Sequence, residues 1–182
     1  MTERVGFVGL GNMGFPVAER LLAAGHPVLA FDVRDDAVDA LATLGAEAAS
    51  SATAVADSAE TVFASLPTPP VARNVATAIA AGTRVRRLVD LSSIGTSTAQ
   101  AIHAELASRG IGYIDSPVSG GASGARAGTL AVMVSGADED VDAVLPLLGS
   151  FGRPIRLGTR PGAAQTMKLL NNLLAGTALA AT

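Results

Sequence analysis

The chain has 182 residues and a formal net charge of −3, with 49% hydrophobic and 16% charged residues. That suits one globular domain, or one domain and part of another, whose core is built from Ala, Val, Leu and Ile because only 3% of residues are aromatic. The mild acidity argues against nucleic acid as a partner, the absence of cysteine excludes disulfides and thiol chemistry, and His26 and His103 alone make no metal site.

Taken in order, Val5 to Val8 reads as a buried strand ending in Gly9-Leu10-Gly11-Asn12-Met13-Gly14. Met13, Val17, Leu21 and Ala24 then recur at helical spacing. In such a strand–turn–helix unit Gly9 permits the tight turn and Gly11 lets backbone approach a pyrophosphate. Gly14 lets the helix pack close against the strand. The free N–H groups and positive end of the helix dipole face the phosphates. Gly25 ends the helix, Val28 to Phe31 is a second strand, and Asp32 closes it. Asp32 lies 18 positions after Gly14, where an acid accepts hydrogen bonds from an adenosine ribose. The combination predicts a dinucleotide site.

Asp36 to Leu44 reads as a short helix with Val38, Leu41 and Leu44 on one side, followed by a short strand near Ala46 to Ala49. Ser51 to Asp57 is a weak helical turn. Thr61 to Leu66 is a buried strand cut off by Pro67, Pro69 and Pro70, with a helix over Val71 to Ala81. Arg84, Arg86 and Arg87 suggest a solvated surface turn, and Arg87 to Leu91 is the next strand. Thr96 to Arg109 is a helix, Ile111 to Ile114 a strand ending at Asp115, and Leu130 to Ser135 another. Asp138 to Leu148 is a helix and Ile155 to Leu157 a last short strand. This alternation calls for an α/β fold, a doubly wound, mainly parallel sheet with helices on both faces. Leu66, Pro67 and Val71 after one strand, and Ser93 after the next, are expected to flank the cofactor with Val33 and Arg34.

Gln165 to Ala181 is one long helical pattern, rich in Leu and Ala, without a stop signal. Lys168, the only lysine in the chain, shares a face of it with Asn172 four residues on. Burial there lowers a lysine pKa toward the range a general acid/base needs; an exposed stripe leaves the lysine solvated. Ser119, Gly120 and Gly121 follow a strand end, where open α/β sheets place ligands, and can form either a small nest for a carboxylate or an ordinary glycine turn. His26 and His103 receive no catalytic role.

These segments together resemble the β-hydroxyacid dehydrogenase family, of the 3-hydroxyisobutyrate dehydrogenase and tartronate semialdehyde reductase type. The resemblance rests on Gly6 to Gly14, Gly25-His26, Ser65-Leu66-Pro67, Asp90 to Ser93, Asp115 to Gly121, Ala127 to Leu130 and Lys168 to Asn172. It implies that Lys168 is the catalytic acid/base, that Asn172 helps position the substrate, and that Ser119, Gly120 and Gly121 hold its carboxylate. It places Ser93 near the nicotinamide. Ser93 stands where many relatives have threonine, and Ala164 where many have a glycine. Relatives preferring NADP resemble Asn-Arg-Thr where this chain has Asp32-Val33-Arg34, so NAD is the expected cofactor, with NADP less favoured because Asp32 repels a 2′-phosphate. Arg34 is the one residue here that could reach such a phosphate.

The resemblance also implies a domain division: residues 1–160 bind NAD(P), and 161–182 begin an interdomain helix leading to an all-helical domain that the chain does not include. A homo-oligomer formed through that helix or domain is expected. No apolar stretch is long enough for a membrane, and a start on Glu3 and a strand is unlike a signal peptide, so a cytoplasmic protein is expected. A non-catalytic NAD-binding module and an imine reductase are the alternatives, although imine reductases usually lack the lysine.

Overall fold

Short apolar strands separated by helices pair in parallel, because the helical crossovers return the chain to the same edge and cover both faces. The computed structural model, which describes residues 3–180, shows this for β1 (Val5–Val8), β2 (Val28–Phe31), β3 (Glu47–Ala48), β4 (Thr61–Ala64), β5 (Arg87–Asp90) and β6 (Gly112–Asp115). They form one sheet in the order β3-β2-β1-β4-β5-β6, every neighbouring pair parallel. The order reverses between β1 and β4, which makes their C-terminal ends the switch point at which such sheets open a crevice.

Period-two alternation sorts the strand residues between two cores. Phe7, Phe63, Val89 and Ile114 face Val17 and Leu21 of α1 (Gly14–Ala23) and Val38 and Leu41 of α2 (Asp35–Ala42). Val8, Val62, Leu88 and Tyr113 face the other way. There they meet Val55 of α3 (Ala52–Ala56), Ile79 of α4 (Pro69–Ala80), and Ile102 and Leu106 of α5 (Thr96–Ala107).

After β6 the chain departs from simple alternation. It adds β7 (Val118–Ser119), α6 (Gly121–Ala127), β8 (Leu130–Val134), α7 (Asp138–Gly149) and β9 (Gly152–Arg156). β8 pairs with β7 antiparallel and with β9 in parallel, and an antiparallel bridge from Asp115 to Ser135 joins this smaller sheet to β6. Phe151, just before β9, reaches the first core and meets the Phe63 ring edge-on at 6.1 Å, while Phe63 stacks on Phe7 at 6.0 Å. Last comes α8 (Ala163–Ala180), with Leu169, Leu170, Leu173 and Leu174 all exposed. None of the described helices is long and apolar enough to cross a membrane.

Several local expectations change. Prolines 69 and 70 open α4 instead of only ending the strand: their fixed φ suits the first helical positions, and Thr68 caps them. Leu44 and Ala24 fall beyond α2 and α1 and are exposed, so neither belongs to the apolar stripe. Arg87 is no solvated turn residue: only 19% of its side chain is exposed, and it meets Asp140 at 3.5 Å and Thr61 at 3.2 Å. β7 and α6 were not expected at all. α8 starts two residues earlier than the pattern predicts, and Ala181, its expected last residue, lies outside the described residues.

Phe63, fully buried between Phe7 and Phe151, joins the two sheets through one core. Phe63→Ala is expected to cost about 3–5 kcal/mol of stability, measured by urea unfolding.

Candidate active site

A cavity of about 600 Å³ opens at the switch point. Its walls are the β1–α1 turn (Gly9, Gly11, Asn12, Met13), the residues after β2 (Asp32, Val33, Arg34), Leu66 and Pro67 after β4, and Val71 in the first turn of α4. Gly9 has φ of +93°, and a Cβ on Gly14 would collide with the Gly9 carbonyl oxygen, so both must lack a side chain. A Cβ on Gly11, by contrast, would meet nothing within 4 Å. Its bare backbone faces open space at the start of a helix, a cradle suited to a pyrophosphate. The Leu10 side chain is buried, and its N–H donates to Asp32 Oδ2 at 2.6 Å. Asp32 Oδ1 accepts the Arg34 N–H at 2.9 Å, and the Arg34 guanidinium donates to the Leu10 carbonyl at 2.9 Å and pairs with Asp32 at 3.5 Å. Arg34 is thus turned back onto the turn and the carboxylate.

A second constellation lies at the ends of β5 and β6. Asp90 and Asp115 are neighbours in register, and both are buried. Asp90 accepts hydrogen bonds from the Ser92 N–H at 2.9 Å and the Tyr113 hydroxyl at 3.2 Å. Burial pushes the Asp90 carboxyl up to about 6; the Ser92 and Tyr113 hydrogen bonds oppose the rise and the nearby Asp115 adds to it. Burial raises Asp115 as well, opposed chiefly by hydrogen bonds from Gln165. The Ser92 hydroxyl accepts the Leu66 N–H at 2.8 Å, which leaves the neighbouring Ser93 exposed beside it.

α8 brings Lys168 to this edge. The lysine is half-buried, and burial lowers its pKa from the usual lysine value. One turn on, Asn171 Nδ2 donates to the Ser119 hydroxyl at 3.0 Å, so the helix carrying Lys168 grips the loop of Ser119, Gly120 and Gly121. Asn172, the asparagine singled out by spacing, is exposed. Asn171 makes the contact to Ser119, and Gln165 anchors the helix start. Spacing ranked neither, because each is defined by a partner far away in the chain.

The strand order, the bare-backbone turn at the switch point and the acidic end of β2 define a Rossmann-type pyridine nucleotide-binding protein. Residues 4–160 match the family described as the NAD binding domain of 6-phosphogluconate dehydrogenase, and the chain belongs to that family. Its relatives are β-hydroxyacid dehydrogenases. 3-Hydroxyisobutyrate dehydrogenase from Pseudomonas aeruginosa is 39% identical over 188 aligned positions, covering 100% of this chain and 62% of the relative. 2-(Hydroxymethyl)glutarate dehydrogenase from Eubacterium barkeri is 37% identical, covering 95% of this chain and 59% of the relative. The Mycobacterium tuberculosis 3-hydroxyisobutyrate dehydrogenase structure with L-serine superposes with a TM-score of 0.91 at 36% identity, over 96% of this chain and 60% of that one. A Pseudomonas sp. imine reductase superposes with a TM-score of 0.90 at 21% identity, a likeness of fold alone. The chain spans about three fifths of the length of the curated relatives it matches.

Because the folded Asp90 holds its proton to about pH 6 and an unfolded aspartate only to about 4, folding takes up a proton between those values. Its stabilising share is complete below about pH 4 and lost as the pH rises to about 6. Asp90→Asn removes this term. Its urea midpoint relative to wild type is expected to rise from pH 4 to 6 and level off above.

Proposed function

We propose that this chain is the cofactor-binding part of an NAD-dependent dehydrogenase or semialdehyde reductase acting on a small 3-hydroxy acid, with Lys168 as general acid/base. The observation that carries the reading is the Asn171–Ser119 hydrogen bond, which ties the helix of the only lysine to the glycine loop beside the strand ends. The relatives' names point to one substrate unit. 3-Hydroxyisobutyrate, 2-(hydroxymethyl)glutarate and L-serine are all 2-substituted 3-hydroxypropanoates, differing only in the 2-substituent. A site for that unit needs a carboxylate holder and a proton acceptor for the hydroxyl.

Ser119 with the Gly120 and Gly121 N–H groups suits the carboxylate, and Asn172, exposed one turn past Lys168, suits the rest of the substrate. Lys168, its pKa lowered by burial, has more neutral amine at physiological pH than an ordinary lysine and takes the hydroxyl proton. A nicotinamide, when bound, would supply the hydride acceptor, and Ser93, exposed after β5, is among the residues that would hold it. In the reducing direction Lys168 returns the proton to the forming alkoxide. NAD is favoured over NADP because a 2′-phosphate would meet the Asp32 carboxylate, while Arg34 is engaged with Asp32 and Leu10. Residues 1–160 are assigned to the cofactor domain and 161–182 to the start of the interdomain helix. Its exposed leucines support packing against further protein, from the same chain or a second copy.

Lys168→Ala is expected to lower turnover at least about a hundredfold on a panel of 3-hydroxy acids, with the NADH Kd changed about twofold or less. Loss of NADH binding in that variant would overturn the role given to Lys168. No wild-type turnover with NADH still bound would favour a non-catalytic module. Asp32→Ala is expected to weaken NADH binding more than NADPH binding, read by fluorescence titration with each nucleotide; an unchanged ratio would remove the specificity argument.

A further inference from the structure

The Gln165 side chain uses every donor and acceptor it has. Its Oε1 accepts the N–H groups of Ile94 and Gly95, each at 3.0 Å. Its Nε2 donates to the Ser92 carbonyl at 2.9 Å and to Asp115 Oδ1 at 2.8 Å. Two hydrogen bonds accepted and two donated are the capacity of a primary amide, and the residue is 1% exposed. The partners admit one orientation. Exchanging the amide oxygen and nitrogen would set donors against two N–H groups and an acceptor against a carbonyl and a carboxylate.

The backbone continues the same anchorage. The Gln165 N–H donates to Asp115 Oδ2 at 3.0 Å, and the Ala164 N–H to the Ser135 hydroxyl at 3.1 Å. A helix starts with N–H groups that have no partner inside it, and here side chains at the ends of β6 and β8 take two of them. The first turn of α8 is therefore keyed to three strand ends, those of β5, β6 and β8. Lys168 follows three residues later, within one turn of the anchor. The loop held by Gln165 includes Ser93, which is assigned to the nicotinamide.

We propose that Gln165 is the positioning residue for Lys168: its amide sets the rotation of α8 against the loop after β5, and thereby where the lysine amine stands relative to Ser93. This rests on the acid/base reading of Lys168. The leverage is geometric. A rotation of about 10° moves a group about 5–6 Å from a helix axis by about 1 Å, and a misplacement of about 1 Å can cost about a hundredfold in rate. Glutamate, nearly identical in shape, cannot replace the amide, because its ionised carboxylate has no donor for the Ser92 carbonyl and would face Asp115.

Because Lys168 is the only lysine, its amine can be titrated in place. The chain is acylated with acetic anhydride across a pH series, and the Lys168 and N-terminal peptides are quantified separately by mass spectrometry. In Gln165→Ala the Lys168 profile, its midpoint or its limiting rate, is expected to move toward that of a free lysine, while the N-terminal profile stays in place. Gln165→Glu, which keeps the volume, is expected to do the same near neutral pH. Ser51→Ala, which removes a helix cap from α3, is the control for general destabilisation and is expected to leave Lys168 unchanged. An unchanged profile in a folded Gln165 variant would overturn the proposal, as would the same displacement in Ser51→Ala. Failure of both Gln165 variants to fold would assign the residue to folding and overturn it too. The turnover of Lys168→Ala tests the acid/base role separately, so failure of that reading is distinguishable from failure of this one.

Discussion

A carboxyl group removed from solvent must find its hydrogen-bond donors inside the protein, and Asp115 draws its own from two other elements. Gln165 supplies its backbone N–H and its side-chain amide, and Ser135 supplies its hydroxyl at 3.2 Å. Satisfying one residue at the end of β6 thereby joins the parallel sheet, the smaller sheet and the lysine-bearing helix. Asp90 sits beside it on β5, with Tyr113 and Ser92 as donors. Burial is the main reason Asp90 holds its proton above the ordinary range, and the neighbouring buried carboxyl of Asp115 adds to it. The strand ends beside the lysine-bearing helix are thus held by groups whose burial is costly unless every donor is in place.

The nucleotide end of the molecule follows a different logic. There the requirement is for the absence of side chains: at Gly14, so that α1 reaches the β1 turn, and at Gly11, so that backbone alone faces the cavity. Asp32 then does two things with one carboxylate. It organises the turn through the Leu10 N–H, and it holds negative charge at the edge of the cavity. One half of the site is built by omission and the other by a saturated polar network.

Legibility in the sequence divides along the same line. β1 to α5 could be read because each apolar run is bracketed by glycine, proline or an acid, and the glycine turn announces its geometry locally. β7 could not: two residues display no period. The helix Gly121–Ala127 has no apolar side chain larger than alanine and contains two glycines, so it looks like loop. Pro69 and Pro70 mark a boundary whose sense, stop or start, depends on the Thr68 cap that precedes them. Lys168 stood out by rarity, whereas Gln165 and Asn171 gain their roles from partners 50 to 73 positions away. That Asn171 reaches Ser119 depends on the phase of α8 against β7, which a spacing rule does not contain.

The hydroxyl of Tyr113 rests on Asp90 in a chain with one tyrosine and no tryptophan. Its ultraviolet emission therefore comes from a single phenol whose hydrogen-bond partner titrates. An ionised carboxylate quenches a bonded tyrosine more strongly than a protonated one, so the protein carries an internal lamp at the strand ends. With no tryptophan to mask the tyrosine signal, that signal and the fluorescence of reduced nicotinamide can be followed in one cuvette without attaching a dye.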